Sequence, residues 1–98
     1  IEVDATEIQE LDYKYNVRVQ PNPMTNESDL LFSLDHDKDV SILVYDVLGK
    51  EVKQLVNDFL QAGDYTYKLS RDYMKKDGVY LLKMIAGDEV VTKKIICQ

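Results

Sequence analysis

The sequence predicts an all-β domain, an immunoglobulin-like antiparallel β-sandwich of about seven strands. Three observations lead there. Short segments alternate apolar and polar residues, as in Tyr65-Thr66-Tyr67-Lys68-Leu69, which is the two-residue period of a half-buried strand. Pro21, Pro23, Gly49, Gly63, Gly78 and Gly87 punctuate the chain between such segments. No connection carries a long helix of the kind a parallel sheet needs for its crossovers.

Residues 1–12 are acidic, with Glu2, Asp4, Glu7, Glu10 and Asp12 among scattered apolar residues, and read as a linker ahead of a domain spanning 13–98. Ile8, Leu11 and Tyr15 sit at helical spacing, but so short a pattern is marginal as a free helix. Tyr13 to Val19 alternates and predicts the first strand. Pro21-Asn22-Pro23 ends it, since proline lacks an amide hydrogen and biases the preceding residue toward extended geometry. Leu30 to Leu34 form a short second strand, and Asp35 to Asp39 a charged turn.

Val40 to Val52 is the organising hairpin. Val40, Ile42 and Val44 share one face, and β-branched side chains suit a pleated surface. Tyr45 and Asp46 lead into the turn, where Gly49 supplies the positive φ that a short hairpin loop commonly needs. The returning strand runs from Glu51 to about Val56, with Val52 and Val56 on one face, and a loop follows from Asn57 to Gly63. Tyr65 to Leu69 is the next strand. Ser70 to Asp77 reads as a single helical turn capped by Ser70. Gly78 to Ala86 is strongly apolar, Gly87-Asp88 is a two-residue hairpin signal, and Glu89 to Cys97 pairs back as the last strand.

Length and charge narrow the function. A chain of 98 residues holds one core and buries roughly 60 to 65 % of its unfolded surface. A net charge of −6 opposes nucleic-acid binding, which needs clustered Lys and Arg. No stretch approaches the roughly 20 apolar residues that cross a bilayer, and no signal-peptide pattern opens the chain. A start at Ile1 suggests a segment cut from a longer polypeptide, with any targeting signal upstream. Cys97 is the single cysteine, so stability must come from packing, and its place in a terminal strand suits an apolar filler.

Catalytic constellations are not found. Asp35, Asp37 and Asp39 match the first positions of a calcium loop, but Val40 stands where that loop needs glycine. His36 is the lone histidine and reads as an exposed turn residue. Cys97 and His36 lie on separate elements with no helix N-terminus to activate the thiol. There is no phosphate-binding glycine loop. The sequence thus predicts neither an enzyme nor a cofactor. Lys93-Lys94 is the informative oddity: neighbours in a strand point to opposite faces, so one lysine must face inward. One reading is an edge strand, the alkyl stem packed and the ammonium reaching water; the other is a basic mark for a partner to read. Lys83 poses a milder version.

With these residues in view, the chain resembles the C-terminal sorting domains of type IX secretion cargo, the Por secretion tails of Bacteroidota. Val19-Gln20-Pro21-Asn22-Pro23 is similar to the family's opening proline motif and Leu31-Phe32-Ser33-Leu34 to its next strand. Val44 to Val52 resembles its central hairpin, Gly78 to Lys83 its Gly-x-Tyr strand, and Thr92 to Ile96 its terminal lysine motif. Met24, Met74 and the final Cys97-Gln98 depart from the family pattern.

The resemblance implies a non-catalytic signal at the end of an exported protein, recognised as a folded domain by the outer-membrane translocon. In this family the tail is commonly removed by a cysteine-protease sortase that can attach the cargo to surface lipopolysaccharide. Implied partners are the translocon, the sortase and an N-terminally attached cargo. The implied route crosses the inner membrane to the periplasm and ends at the cell surface or in the medium. Cleavage is expected in or before residues 1–12, where an unstructured linker exposes its backbone. The expected recognition residues are Gly78, Tyr80, Lys83, Lys93, Lys94 and Ile95, with Pro21, Asn22, Pro23, Tyr45, Asp46 and Gly49 as structural motif residues. Open strand edges and Cys97 leave a weak homodimer open. The fold alone would also suit a passive immunoglobulin-like or fibronectin-like spacer or adhesion module. Folded domains encoded after Gln98 would favour that alternative.

Overall fold

The computed structural model describes residues 14–98; the linker, its short helical pattern, the cleavage region and Tyr13 lie outside them. Seven strands follow in order: β1 (Arg18–Gln20), β2 (Glu27–Leu34), β3 (Lys38–Tyr45), β4 (Glu51–Leu60), β5 (Gly63–Ser70), β6 (Gly78–Ala86) and β7 (Glu89–Cys97). They form a three-stranded sheet, β1-β2-β5, and a four-stranded sheet, β4-β3-β6-β7, all paired antiparallel. The immunoglobulin-like sandwich expected from the sequence is the observed fold.

The inner faces follow from the alternation. β2 buries Leu30, Phe32 and Leu34, β3 buries Val40, Ile42 and Val44, and β6 buries Tyr80, Leu82, Met84 and Ala86. Each set occupies every second position, so one side of each strand enters the core while the other meets solvent. Phe32 stacks on half-buried Tyr65 and Tyr67 of β5, with ring centroids 5.4 and 5.9 Å away, an arrangement that adds to simple area burial.

Three expectations are corrected. The strand predicted from Tyr13 begins only at Arg18: Lys14 and Tyr15 are helical, and Asn16 takes a positive φ of 51°. Tyr15 and Val17 are buried by this turn into the core, not by pairing in a strand. β4 does not stop near Val56 but continues to Leu60, where Lys38↔Leu60 and Asp39↔Phe59 are paired with β3. Two irregularities interrupt that ladder, between Ile42 and Leu43 and between Val44 and Tyr45 of β3. They set extra residues into β4, which is how an edge strand bends without losing its neighbour. Finally, the expected helical turn from Ser70 to Asp77 is absent: Ser70 ends β5, and 71–77 is turn and bend; the Ser70 hydroxyl accepts the Asp72 amide at 3.0 Å, the local hydrogen bond that competes with helix.

The hairpins read from the sequence are present. Gly49 has φ +84° and Gly87 φ +62°. Asp46 organises the first turn: its carboxylate accepts the amides of Leu48 and Lys50, both at 2.9 Å, and its carbonyl accepts the Gly49 amide at 3.0 Å. A short side chain two to four residues from its partners can close a turn this way.

Candidate functional site

β7 lies at the edge of its sheet, the position its adjacent lysines call for. Its far side is not bare. The segment after Pro21 crosses from one sheet to the other and lies along β7, where Met24 bridges Cys97 in parallel. The Met24 amide donates to the Ile96 carbonyl at 2.8 Å, and the Gln98 amide donates to the Met24 carbonyl at 2.9 Å. Asn22 acts as a strand partner through its side chain. Its Nδ2 donates to the Lys94 carbonyl at 2.9 Å and its Oδ1 accepts the Ile96 amide at 3.0 Å. Proline cannot donate to a ladder, so between Pro21 and Pro23 the carboxamide does what backbone groups do elsewhere. The Ser28 hydroxyl donates to the Pro21 carbonyl, and fully buried Met24 plugs the crossing.

The predicted recognition residues divide by depth. Tyr80 and Ile95 are 7 % and 0 % exposed; the Tyr80 hydroxyl donates to the Lys76 carbonyl at 2.8 Å. Their side chains shape the site from within. Lys93 points inward between Val91 and Ile95 and is half-buried, lining a groove of about 270 Å³ with Val17, Arg18, Val19, Gln20 and Asn22. Lys94 points outward, in register with Leu81. Lys83, also outward, sits between Leu43 and Thr92. Gly78 opens β6 opposite Cys97 with φ +138°. The proline motif and the terminal lysine motif therefore meet in one place.

Arg71 is the residue that the sequence did not reveal. Its guanidinium donates to the Met74 carbonyl and to the Gln98 carbonyl, both at 2.8 Å, and to Asp77 at 2.9 Å, while its amide donates to the Asn26 carbonyl at 3.1 Å. A planar fork with several donors is suited to tying carbonyls from three segments together. The hydrogen bond that Arg71 donates to the Asp77 carboxylate raises its pKa, so the cation persists. Nearby, Cys97 is buried with Sγ 3.8 Å from Met74 Sδ, and burial pushes its thiol pKa up, the opposite of what a nucleophile needs.

The other end of the sandwich is held by charge. The Tyr15 hydroxyl donates to Glu89, and Lys38 donates to the Tyr15 oxygen at 2.7 Å. Lys14 pairs with Glu89 at 2.9 Å. Hydrogen bonds from Tyr15 and Lys14 hold the Glu89 pKa below its usual range. Burial is the first cause of a raised Tyr15 pKa.

Two carboxylates of the Asp35–Asp39 turn have structural partners. Asp35 pairs with His36 at 3.2 Å and Asp37 accepts the Ala62 amide at 2.9 Å. Among the described residues, no group of three or more His, Cys, Asp or Glu side chains could hold a metal ion.

Comparison with known proteins bears on this geometry. The family described as secretion system C-terminal sorting domain matches residues 18–98. No curated protein matches the chain. Among solved structures, dimeric latent PorU from Porphyromonas gingivalis is similar over 83 % of this chain, at 21 % identity and a TM-score of 0.62. The chain spans only 9 % of that PorU chain. The Ig1 domain of mouse SynCAM 2 is similar over 87 % of this chain and 94 % of its own, at 12 % identity and a TM-score of 0.50. At such identities both likenesses speak for the fold alone. The family match takes in all seven strands, the proline crossing and the terminal lysine motif, and the chain belongs to the family of secretion system C-terminal sorting domains, the sorting tails of type IX secretion.

Proposed function

We propose that this domain directs an N-terminally attached cargo through the type IX outer-membrane translocon, and that a sortase-like cysteine protease then removes it by cutting upstream of the sandwich. The reading assigns recognition to the β6–β7 region, with Gly78, Lys83, Lys93 and Lys94 as the reachable residues and with Tyr80 and Ile95 setting their positions. One observation carries it: Asn22, from a motif more than seventy residues away, clamps the backbone of the terminal lysine motif at Lys94 and Ile96. A plain spacer has no need to fix its last strand from both sides, whereas a signal read by shape does.

The test fuses residues 1–98 to a periplasmic reporter in a type IX-competent host. Export is expected with the intact tail and is expected to fail without residues 92–98. Lys93→Ala with Lys94→Ala should impair export with thermal stability close to wild type. A reporter that stays in the periplasm, or reaches the surface equally well after truncation, leaves the passive spacer as the better reading. N-terminal sequencing of the exported reporter tests the cleavage step separately, since an uncut tail would remove the sortase from the scheme.

A further inference from the structure

The β3–β4 turn is built to be rigid, and its polar groups are consumed in building it: Asp46 binds the Leu48 and Lys50 amides, and the Asp46 amide donates to the Lys50 carbonyl at 2.9 Å. Its two middle positions are apolar. Val47 is 68 % and Leu48 90 % exposed, in places where turns favour polar residues. Neither packs on the core, so folding gives no reason for them. Grooves of about 480 and 440 Å³ flank the turn, and their walls add Val79 and Leu81, 38 % and 39 % exposed. Among the described residues, four of the six large exposed hydrophobics thus border one turn.

Charge follows the same pattern. Lys14, Lys38, Lys68 and Arg71 are in ion pairs with carboxylates. The grooves are instead lined by Lys50, Lys75, Lys76 and Lys83, and no carboxylate lies within salt-bridge distance of these four among the described residues. The lining carboxylates Asp46 and Asp77 are already engaged, one with turn amides and the other with Arg71. On a chain of net charge −6, this is a local cationic rim around an apolar knob.

We propose that the Val47-Leu48 tip is a docking knob for a protein partner presenting an apolar pocket rimmed with carboxylates. This rests on the sorting reading and names a second contact for the same machinery. A pocket can set one carboxylate against each lysine, whereas a flat anionic bilayer would also meet Asp46 and Asp77, which line the same grooves. The knob also sits at the end of the domain opposite Lys14 and Tyr15. Lys14 and Tyr15, where the chain enters, are held to Glu89 at the β6–β7 turn, while the tip adjoins Gly78 at the opposite end of β6.

The experiment uses the same full-length reporter fusion. Leu48→Asp, and separately Lys75→Glu with Lys76→Glu, should lower export about tenfold or more, as expected for losing one anchor residue of an interface. Their melting temperatures should stay close to wild type. Phe59→Asp, an exposed apolar position on β4 away from the turn, should export normally. Normal export of the Leu48 and lysine variants overturns the knob while leaving the sorting reading intact; failure of the unmodified tail overturns the reading itself. Binding of the isolated chain to phosphatidylglycerol–phosphatidylethanolamine vesicles, abolished by Leu48→Asp, would replace the protein partner by a lipid surface and likewise overturn the proposal.

Discussion

Replacing Asn22 by alanine removes two hydrogen bonds between the proline motif and β7. The Lys94 carbonyl loses a donor at 2.9 Å and the Ile96 amide an acceptor at 3.0 Å. Asn22 itself is exposed, so water can reach both orphaned groups, and each bond is worth about 0.5–1 kcal/mol at such a site. The expected loss is about 1–2 kcal/mol, or about 5–15 °C in melting temperature for a domain of this size. Thermal unfolding measures the total. Hydrogen exchange localises it: the Ile96 amide should exchange faster by more than the global change, while amides of the central strand β6 follow the global change alone. Asn22→Asp sharpens the test, because the carboxylate keeps the acceptor for Ile96 but faces the Lys94 carbonyl without a proton. Its deficit relative to wild type should therefore shrink as pH falls and the acid gains a hydrogen to donate. A melting temperature within about 1 °C of wild type, with Ile96 exchange unchanged, would refute the clamp.

Met24→Ala should cost about 2–5 kcal/mol, since Met24 is fully buried; urea denaturation should show a lower midpoint with an unchanged slope. Gly49→Val should destabilise by about 1–3 kcal/mol through backbone strain alone, because φ is +84° and a Cβ there would meet nothing within 4 Å. Gly49→Asn should recover much of that loss, asparagine being tolerated in this region. Glu89 titrates below its ordinary value because Tyr15 and Lys14 donate to it. Its contribution is present above the unfolded carboxylate value of about 4.3 and is lost as pH falls through the lower folded value. Glu89→Gln should accordingly flatten the acid limb of the stability profile measured by chemical denaturation. At the alkaline end, a raised Lys38 pKa, caused first by its hydrogen bond to Tyr15, contributes stability that disappears as pH rises through it.

What could be read in the sequence was what local chemistry decides. Asp46 and Gly49 specify their turn within five residues, and Tyr65, Tyr67 and Leu69 declare their face by spacing alone. The errors fall where distant residues decide. Tyr15 looked like a strand residue because its apolar neighbours alternate, yet Glu89 and Lys38 draw it into a turn. Asn57 and Asp58 are poor strand formers, but pairing with Ser41 and Val40 carries β4 through them. At the site, the motifs were visible as separate words and their contact was not. Nothing in Pro21-Asn22-Pro23 says that its amide will clamp β7, and nothing around Arg71 says that it will hold Gln98.

The clamp also bears on what kind of signal this tail is. Thr92 to Gln98 detached from the domain would be too short to hold a strand in water. Within it, the β6 ladder fixes one edge of this segment, Asn22 and Met24 the other, and Arg71 its last carbonyl. Ile95 is in the core and the Lys93 stem is half-buried, so only part of the motif's chemistry is displayed, and its display depends on the whole sandwich. A receptor of the folded domain would therefore read spacing between Lys83, Lys94 and the groove beside Lys93, not a string of residues. Appending Thr92–Gln98 alone to the periplasmic reporter should give no export, and substitutions that unfold the sandwich, such as Met24→Ala combined with Gly49→Val, should abolish export although every exposed lysine is kept. Efficient export of the seven-residue fusion would show instead that the motif is read in extended form and that the clamp on β7 serves stability only.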